Sequence, residues 1–430
     1  MEEARRHGPV GWLQILGPGL ITGASDDDPS GIGTYSQVGS QFGYGLLWTA
    51  LFTFPLMSAV QELCSRIALQ TGVGLGVSLR RKFPSWLVGI AILGLLGANT
   101  FNIGADLGAV AAGGSLLSRG VIHPLWLVIP VALLVIGMEV FVTYAAIFKI
   151  FKWLTLALFA YVITAFFAHP PLLDVLKATF VPHIELSKDF AMALVAVLGT
   201  TISPYLFFWQ ASSEVDEMAG ADTNPLVHRR EVTAAELRAA RIDIVVGMAF
   251  SNLVMYFIIL TSAAVLHAHG KTDIQTADQA AAALAPLAGP FAFIVFSVGM
   301  IGTGLLAIPI LGASASYALK DFLGLRGDLA SKPRHRPTFY VILSAATIAG
   351  VVMNFMRLDP IHALFVTAVI NGVVAPPLLL LIVWLGADRN IMKRQASGRL
   401  SLALTGFATF AMAVAAVTML VGFIPLKLFS

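Results

Sequence analysis

Three adjacent carboxylates, Asp26, Asp27 and Asp28, stand in the stretch LITGASDDDPSGIGTYSQVG, and Pro29 follows them directly. Carboxylates beside the hydroxyls of Ser25 and Ser30, on a chain forced out of helix by proline, make an oxygen-rich place for a hard cation. A second stretch, GTTISPYLFFWQASS, repeats the pattern with Thr200, Thr201, Ser203, Pro204 and Tyr205. The surroundings of both are strongly apolar. A charge at the centre of a bilayer costs at least ~2.5–3.5 kcal/mol, so three acids there point to function. Consecutive helical residues face about 100° apart, so the three cannot share one direction. Asp28, next to the proline, is the expected ligand, and Asp27 is an expected coupling or relay residue. For Asp26 and Asp27, capping freed donors or lining a wet vestibule are equal alternatives to direct binding.

The elements that must hold these acids are membrane spans. Of 430 residues, 57% are hydrophobic and only 12% charged, half the usual charged share of a soluble domain; mean hydropathy is +0.82. Stretches of about 20 apolar residues, enough to cross a bilayer, fall near 13–40, 44–68, 87–117, 124–143, 145–168, 190–216, 243–267, 288–318, 338–356, 361–386 and 400–426. These predict an all-α integral membrane protein of eleven transmembrane helices. With the N-terminus inside, 21 of 27 Lys and Arg fall in inside segments. The positive-inside rule therefore predicts a cytoplasmic N-terminus and, with an odd count, an outside C-terminus. The same loop placement accounts for the net charge of +3 through topology rather than nucleic acid, and no nucleic-acid partner is expected. Cys64 is the single cysteine, a packing residue rather than a disulfide partner.

Gly and Pro interrupt the first span at DDDPSGIG and the sixth at GTTISP. Paired breaks five spans apart are the sequence signature of an inverted-repeat secondary transporter, whose unwound midplane segments bind the cargo. The chain is thus expected to form one transporter domain over 1–430. It would comprise a first repeat at 1–168, a second at 190–386 and an extra C-terminal helix at 400–426.

Several stretches resemble the Nramp (natural resistance-associated macrophage protein) divalent-metal transporters. GPGLITGASDDDPSGIGTYSQVG is similar to the opening of that family, where Asp-Pro-Gly-Asn breaks the first span. VQELCSRIALQTGVGLG resembles its second span, GADLGAVAAGG its Asp-Leu-Ala-Glu-Val segment, and GTTISPYLFFWQASS its Ala-x-x-Met-Pro-His segment; the likeness runs over about residues 15–392. It implies a LeuT-type fold with spans 1–5 and 6–10 as inverted repeats. The family Asp falls on Asp28, but its Asn ligand falls on Gly31 and its Met ligand on Ser203. The His after the proline is Tyr205, a second His is Gln210, and the Glu of the third span is Ala109, while the acid before it is kept as Asp106.

These departures leave two readings open. Losing the thioether removes the preference for softer ions. Asp28, the hydroxyls of Ser25, Ser30, Thr200, Thr201 and Ser203, and unwound carbonyls near Ser25 and Thr200 form an all-oxygen set suited to Mg²⁺ or Mn²⁺. With the His and Glu gone, weak or absent proton coupling is expected. Alternatively the half-helix N-termini take a small anion such as bicarbonate, coupled to Na⁺ or H⁺, with donors at Gly31, Gly33, Ser203 and Tyr205. Asp106 shares a helical face with Asn99, Asn102 and Val110 and reads as a relay or an interhelical hydrogen bond; Asn371 lines the site or packs. Glu214, Asp216 and Glu217 read as an inner vestibule, and Glu62 with Arg66 as a surface ion pair. No nucleotide loop, zinc-hydrolase signature or nucleophile elbow is present, so neither an enzyme nor a cofactor is expected. The expected partners are a small inorganic ion and the lipid bilayer. A monomer-competent carrier of the bacterial inner (plasma) membrane is the resulting picture.

Overall fold

The computed structural model describes residues 17–142, 156–185, 187–221, 232–325, 337–356, 359–393 and 397–422. Among the described residues all regular structure is helical. In chain order the main helices are α1 (Pro18–Asp26), α2 (Pro29–Phe42), α3 (Trp48–Thr71), α4 (Ser85–Leu117), α5 (Pro124–Phe141) and α6 (Phe159–Phe167). They continue as α7 (Lys188–Thr201), α8 (Pro204–Ala221), α9 (Ala234–Val265), α10 (Ala292–Leu323), α11 (Pro337–Asn354), α12 (Pro360–Gly386) and α13 (Arg399–Gly422). Helix occupies each of the eleven expected passes. Seven segments, the α7–α8 pair included, are each long and apolar enough to cross a membrane unaided; α2 and α3 meet at 109°. The beginnings of the first and fifth expected passes, 13–16 and 145–155, lie outside the described residues.

The first pass is α1 plus α2 and the sixth is α7 plus α8. Proline alone does not cause the breaks, because Pro55, Pro130, Pro309, Pro376 and Pro377 all sit inside continuous helices. At each break the chain stops one helix and starts another with proline as first residue, a position that needs no N–H. The residue closing α1, Asp27, has φ −84° and ψ 48°, and Ile202, closing α7, has φ −117° and ψ 56°. The two breaks therefore share one kind of backbone turn. Asp28 caps α2 by accepting from the Gly31 N–H, satisfying a donor that the broken ladder leaves free.

Glycine lets the half-helices before the breaks lie against their neighbours. A β-carbon on Gly23 would sit 2.6 Å from the Cα of Gly247 in α9, and one on Gly199 would sit 2.7 Å from the Cα of Gly372 in α12. Such backbone-to-backbone approach is how membrane helices gain packing without a hydrophobic driving force.

Both ends of the first pass are tied down. At the start of α1, the Asp243 carboxylate of α9 accepts from the N–H groups of Gly17 (2.9 Å), Gly19 (2.6 Å) and Leu20 (3.1 Å). A carboxylate at a helix N-terminus is favoured by both the free donors and the dipole. Near the end of α2, Gln37 accepts from the Ile274 N–H at 2.8 Å and Ser40 donates to the Lys271 carbonyl. Asp243→Asn leaves one acceptor oxygen where two served three donors, a loss of about 2–3 kcal/mol. That shifts the open-to-closed ratio at this end roughly 30- to 150-fold. The alkylation rate of a cysteine at Leu20, in a Cys64→Ser background, should rise by that factor; an unchanged rate would exclude a holding role for Asp243.

Candidate ion-binding site

Asp28 lies in the break of the first pass and is 1% exposed. Its two oxygens are used differently. Oδ1 accepts from the Ser30 hydroxyl at 2.6 Å and the Gly31 N–H at 2.8 Å. Oδ2 accepts from Asn102 Nδ2 in α4 at 3.0 Å, and the Tyr205 hydroxyl in α8 stands 3.4 Å away. That hydroxyl donates more closely to the Ser25 carbonyl, at 2.8 Å. Tyr205 thus ties the second break to both sides of the first.

The facing of the two breaks is also direct, since a β-carbon at Gly31 would lie 3.5 Å from Thr200 Oγ1 and 3.3 Å from the Tyr35 ring. The α4 face named from sequence runs alongside. Asn102 touches Asp28, and Val110, two turns on, crowds Gly304 of α10 together with Pro29. Asp106 lies between them, fully buried, with the Ser30 N–H close by but neither oxygen in full hydrogen-bond geometry. Thr200 Oγ1 and Tyr35 Oη, which lie near each other, are likewise short of full geometry, and Asn102 Oδ1 and both polar atoms of Asn371 have no partner among the described residues. Buried polar atoms left unpaired cost about 1–3 kcal/mol each, and a polar guest would relieve that cost. Among the described residues no three Asp, Glu, His or Cys side chains are placed to hold a metal ion. Any ion here would rest on at most two such side chains, completed by neutral oxygens.

Not every expected ligand is presented in the expected way. The Ser25 hydroxyl donates to Ile21 O and that of Thr201 to Val197 O, each inside its own helix. Ser203 donates to the carbonyls of Gly199 and Thr200 at 3.0 and 2.7 Å. These three hydroxyls donate within their own helices and keep only their lone pairs for a guest. The carbonyls of Ser25 and Thr200, expected to be free, each accept a hydroxyl. Asp26 and Asp27 turn away from Asp28 toward α9, where Ser251 donates at 2.6 Å to Asp26 and stands 3.2 Å from Asp27. Glu214 does not line an open vestibule: it is 5% exposed and accepts from Ser65 (2.7 Å) and Gln210 (2.9 Å). Gln210 in turn accepts from Thr22 in α1. Glu62 and Arg66 pair at 2.9 Å as expected, but their side chains, 11% and 17% exposed, lie largely buried rather than on the surface.

Sequence reasoning missed the direct Asn102–Asp28 bond and the Asp243 and Ser251 contacts. Asn102 carried a faint signal, being one turn before Asp106 on the same face.

The family model described as natural resistance-associated macrophage protein-like, Nramp, matches residues 19–422. The chain belongs to the Nramp family. Among relatives, the divalent metal cation transporter MntH of Pectobacterium carotovorum is 24% identical over 367 residues, 80% of this chain and 82% of its own. The protein of the same name from Xanthomonas campestris is 28% identical over 327 residues, 73% of this chain and 70% of its own. The manganese transporter of Eremococcus coleocola superposes with a TM-score of 0.72 at 16% identity, covering 96% of this chain and 87% of that one. Mhp1, a nucleobase-cation-symport-1 family transporter, superposes at 0.57, again at 16% identity, over 95% and 90%. Like these transporters, this Nramp chain has the LeuT-type fold, with its first and sixth passes broken.

Proposed function

We propose that the chain is a secondary transporter that carries a hard divalent cation, Mg²⁺ or Mn²⁺, by alternating access between the two helix breaks. The observation that carries this reading is Asp28. It is one buried carboxylate in the first break, with Oδ1 held by Ser30 and Gly31 and Oδ2 left toward the second break. Around it lie neutral oxygens without partners, a set suited to an ion that keeps part of its water. Asp28 is the ligand; the Ser25 and Thr200 carbonyls, Gly31, Thr201, Ser203 and Tyr205 shape the site, and Asp27, Asp106 and Asn371 are relay positions. The relatives named divalent metal cation transporters support the same cargo class. Proton coupling is weak or absent, because Tyr205 and Ala109 stand where the related pattern has His and Glu.

The anion reading is not favoured. The donors at the start of α2, which would hold an anion, are already taken by Asp28 itself, and an anion would face that carboxylate. In this reading the N-terminus is cytoplasmic and the C-terminus outside, in a bacterial plasma membrane. The repeats run over 1–168 and 190–386, followed by the added helix at 400–426, and one chain suffices for transport. The test is uptake into proteoliposomes of Mn²⁺, Mg²⁺, Ca²⁺ and bicarbonate side by side, with a pH dye inside. Saturable Mn²⁺ or Mg²⁺ flux without stoichiometric acidification is expected. Bicarbonate flux without either metal would overturn the reading, and strong metal-driven acidification would overturn its coupling.

A further inference from the structure

We infer that Asn102 in α4 is a ligand of the transported cation and sets its selectivity, filling from the third pass the role that the related pattern gives to an asparagine in the first. The inference rests on the divalent-cation reading above.

Gly31 offers no side chain at the position where that asparagine would stand. The space beside it is closed by the Tyr35 ring and Thr200 Oγ1. Of the hydroxyls nearby, those of Ser25, Thr201 and Ser203 donate to carbonyls of their own helices, which fixes their orientation and leaves only their lone pairs for a guest. Asn102 is different. It is fully buried, 74 residues from Asp28 in sequence, and its amide meets the one Asp28 oxygen that the α2 cap leaves over. Its own carbonyl oxygen, Oδ1, has no partner among the described residues.

An amide offers two donors on one arm and an acceptor on the other, and turning it over exchanges them in nearly the same volume. Without an ion, Nδ2 satisfies the carboxylate. With a cation on Asp28 Oδ2, the same N–H would point at a positive charge. Turning the amide over aims Oδ1 at the ion instead and relieves the unpaired acceptor. Asn102 is then a reversible ligand: it holds Asp28 in place when the site is empty and coordinates when it is full. A neutral amide oxygen suits hard ions and adds no charge to be neutralised on release.

The test uses the full chain in proteoliposomes, with saturable Mn²⁺ and Mg²⁺ uptake measured per folded molecule. Asn102→Leu, similar in size but without polar atoms, should raise KM for both ions about tenfold or more while Vmax holds, beside a Tm lowered by the lost bond to Asp28. Asn102→Asp, which keeps an oxygen in place, should retain saturable uptake and change the ratio of the two KM values. If Asn102→Leu leaves both KM values unchanged, or lowers only Vmax and Tm, Asn102 is structural and the inference falls, while inactivity of Asp28→Ala keeps the cation reading standing. Should Asn102→Leu fail to fold, an unaltered KM ratio in Asn102→Asp overturns the inference by itself. A wild-type chain without saturable divalent uptake removes both.

Discussion

Asp28→Ala is expected to abolish saturable divalent uptake while the protein still reaches the membrane folded. The carboxylate is the single charged oxygen donor that the first break turns toward the second. Removing one partner of a buried charge pair costs about 3–5 kcal/mol, which is a hundredfold or more in affinity. Folding should be less affected, because the alanine removes one helix cap, worth about 1 kcal/mol. The check is metal uptake set beside size-exclusion profile and Tm. Near-normal uptake with a wild-type profile would remove Asp28 from the site. Asp28→Asn separates the two roles of the side chain: the amide oxygen can still cap Gly31, so stability should be close to wild type while transport is lost.

The second large effect is expected at Gly247. Its missing side chain lets α1 lie on α9, with Gly19 and Gly23 from one helix against 243–247 of the other. Gly247→Leu places a side chain where the backbone of Gly19 and Leu20 already is. Overpacking of this kind costs about 3 kcal/mol or more when the clash is with main chain. Detergent-solubilised Gly247→Leu should therefore show a clearly lower Tm and a broadened size-exclusion peak, with uptake lost alongside. A wild-type Tm would show that α1 has another seat. Gly406, where a β-carbon meets nothing within 4 Å, is the matched control; Gly406→Leu should leave Tm within a degree or two of wild type, since exposed changes rarely exceed about 0.5 kcal/mol.

How much of this was readable beforehand follows the range of each interaction. The breaks are signalled locally: Pro29 and Pro204 are favoured first residues of a new helix, and Asp28 three residues before Gly31 is a cap written into the chain. The passes are equally local, since about 20 apolar residues identify themselves. The choice among the three acids was only half readable. The turn at Asp27 decides it, swinging Asp26 and Asp27 toward Ser251 on another helix while Asp28 faces inward. Contacts such as Asn102 to Asp28, or Asp243 to Gly17, join helices whose relative rotation no single periodicity encodes. The hydroxyls were less legible for a related reason: a serine or threonine in a helix also bonds the carbonyl one turn back, and Ser25, Thr201 and Ser203 all do so.

The tie between Asp243 and the start of α1 has a mechanical consequence. α1 has nine residues, so it is a short rod about 13 Å long that ends at the Asp27 turn. A swing of roughly 20° carries its far end about 5 Å, well beyond the reach of an N–H···O bond. The bonds from Gly17, Gly19 and Leu20 end on one carboxylate, so they cannot be released one by one as the rod tilts; they part together. A tilt of that size would therefore break all three bonds at once and lift α1 from its glycine seat on α9 in the same step.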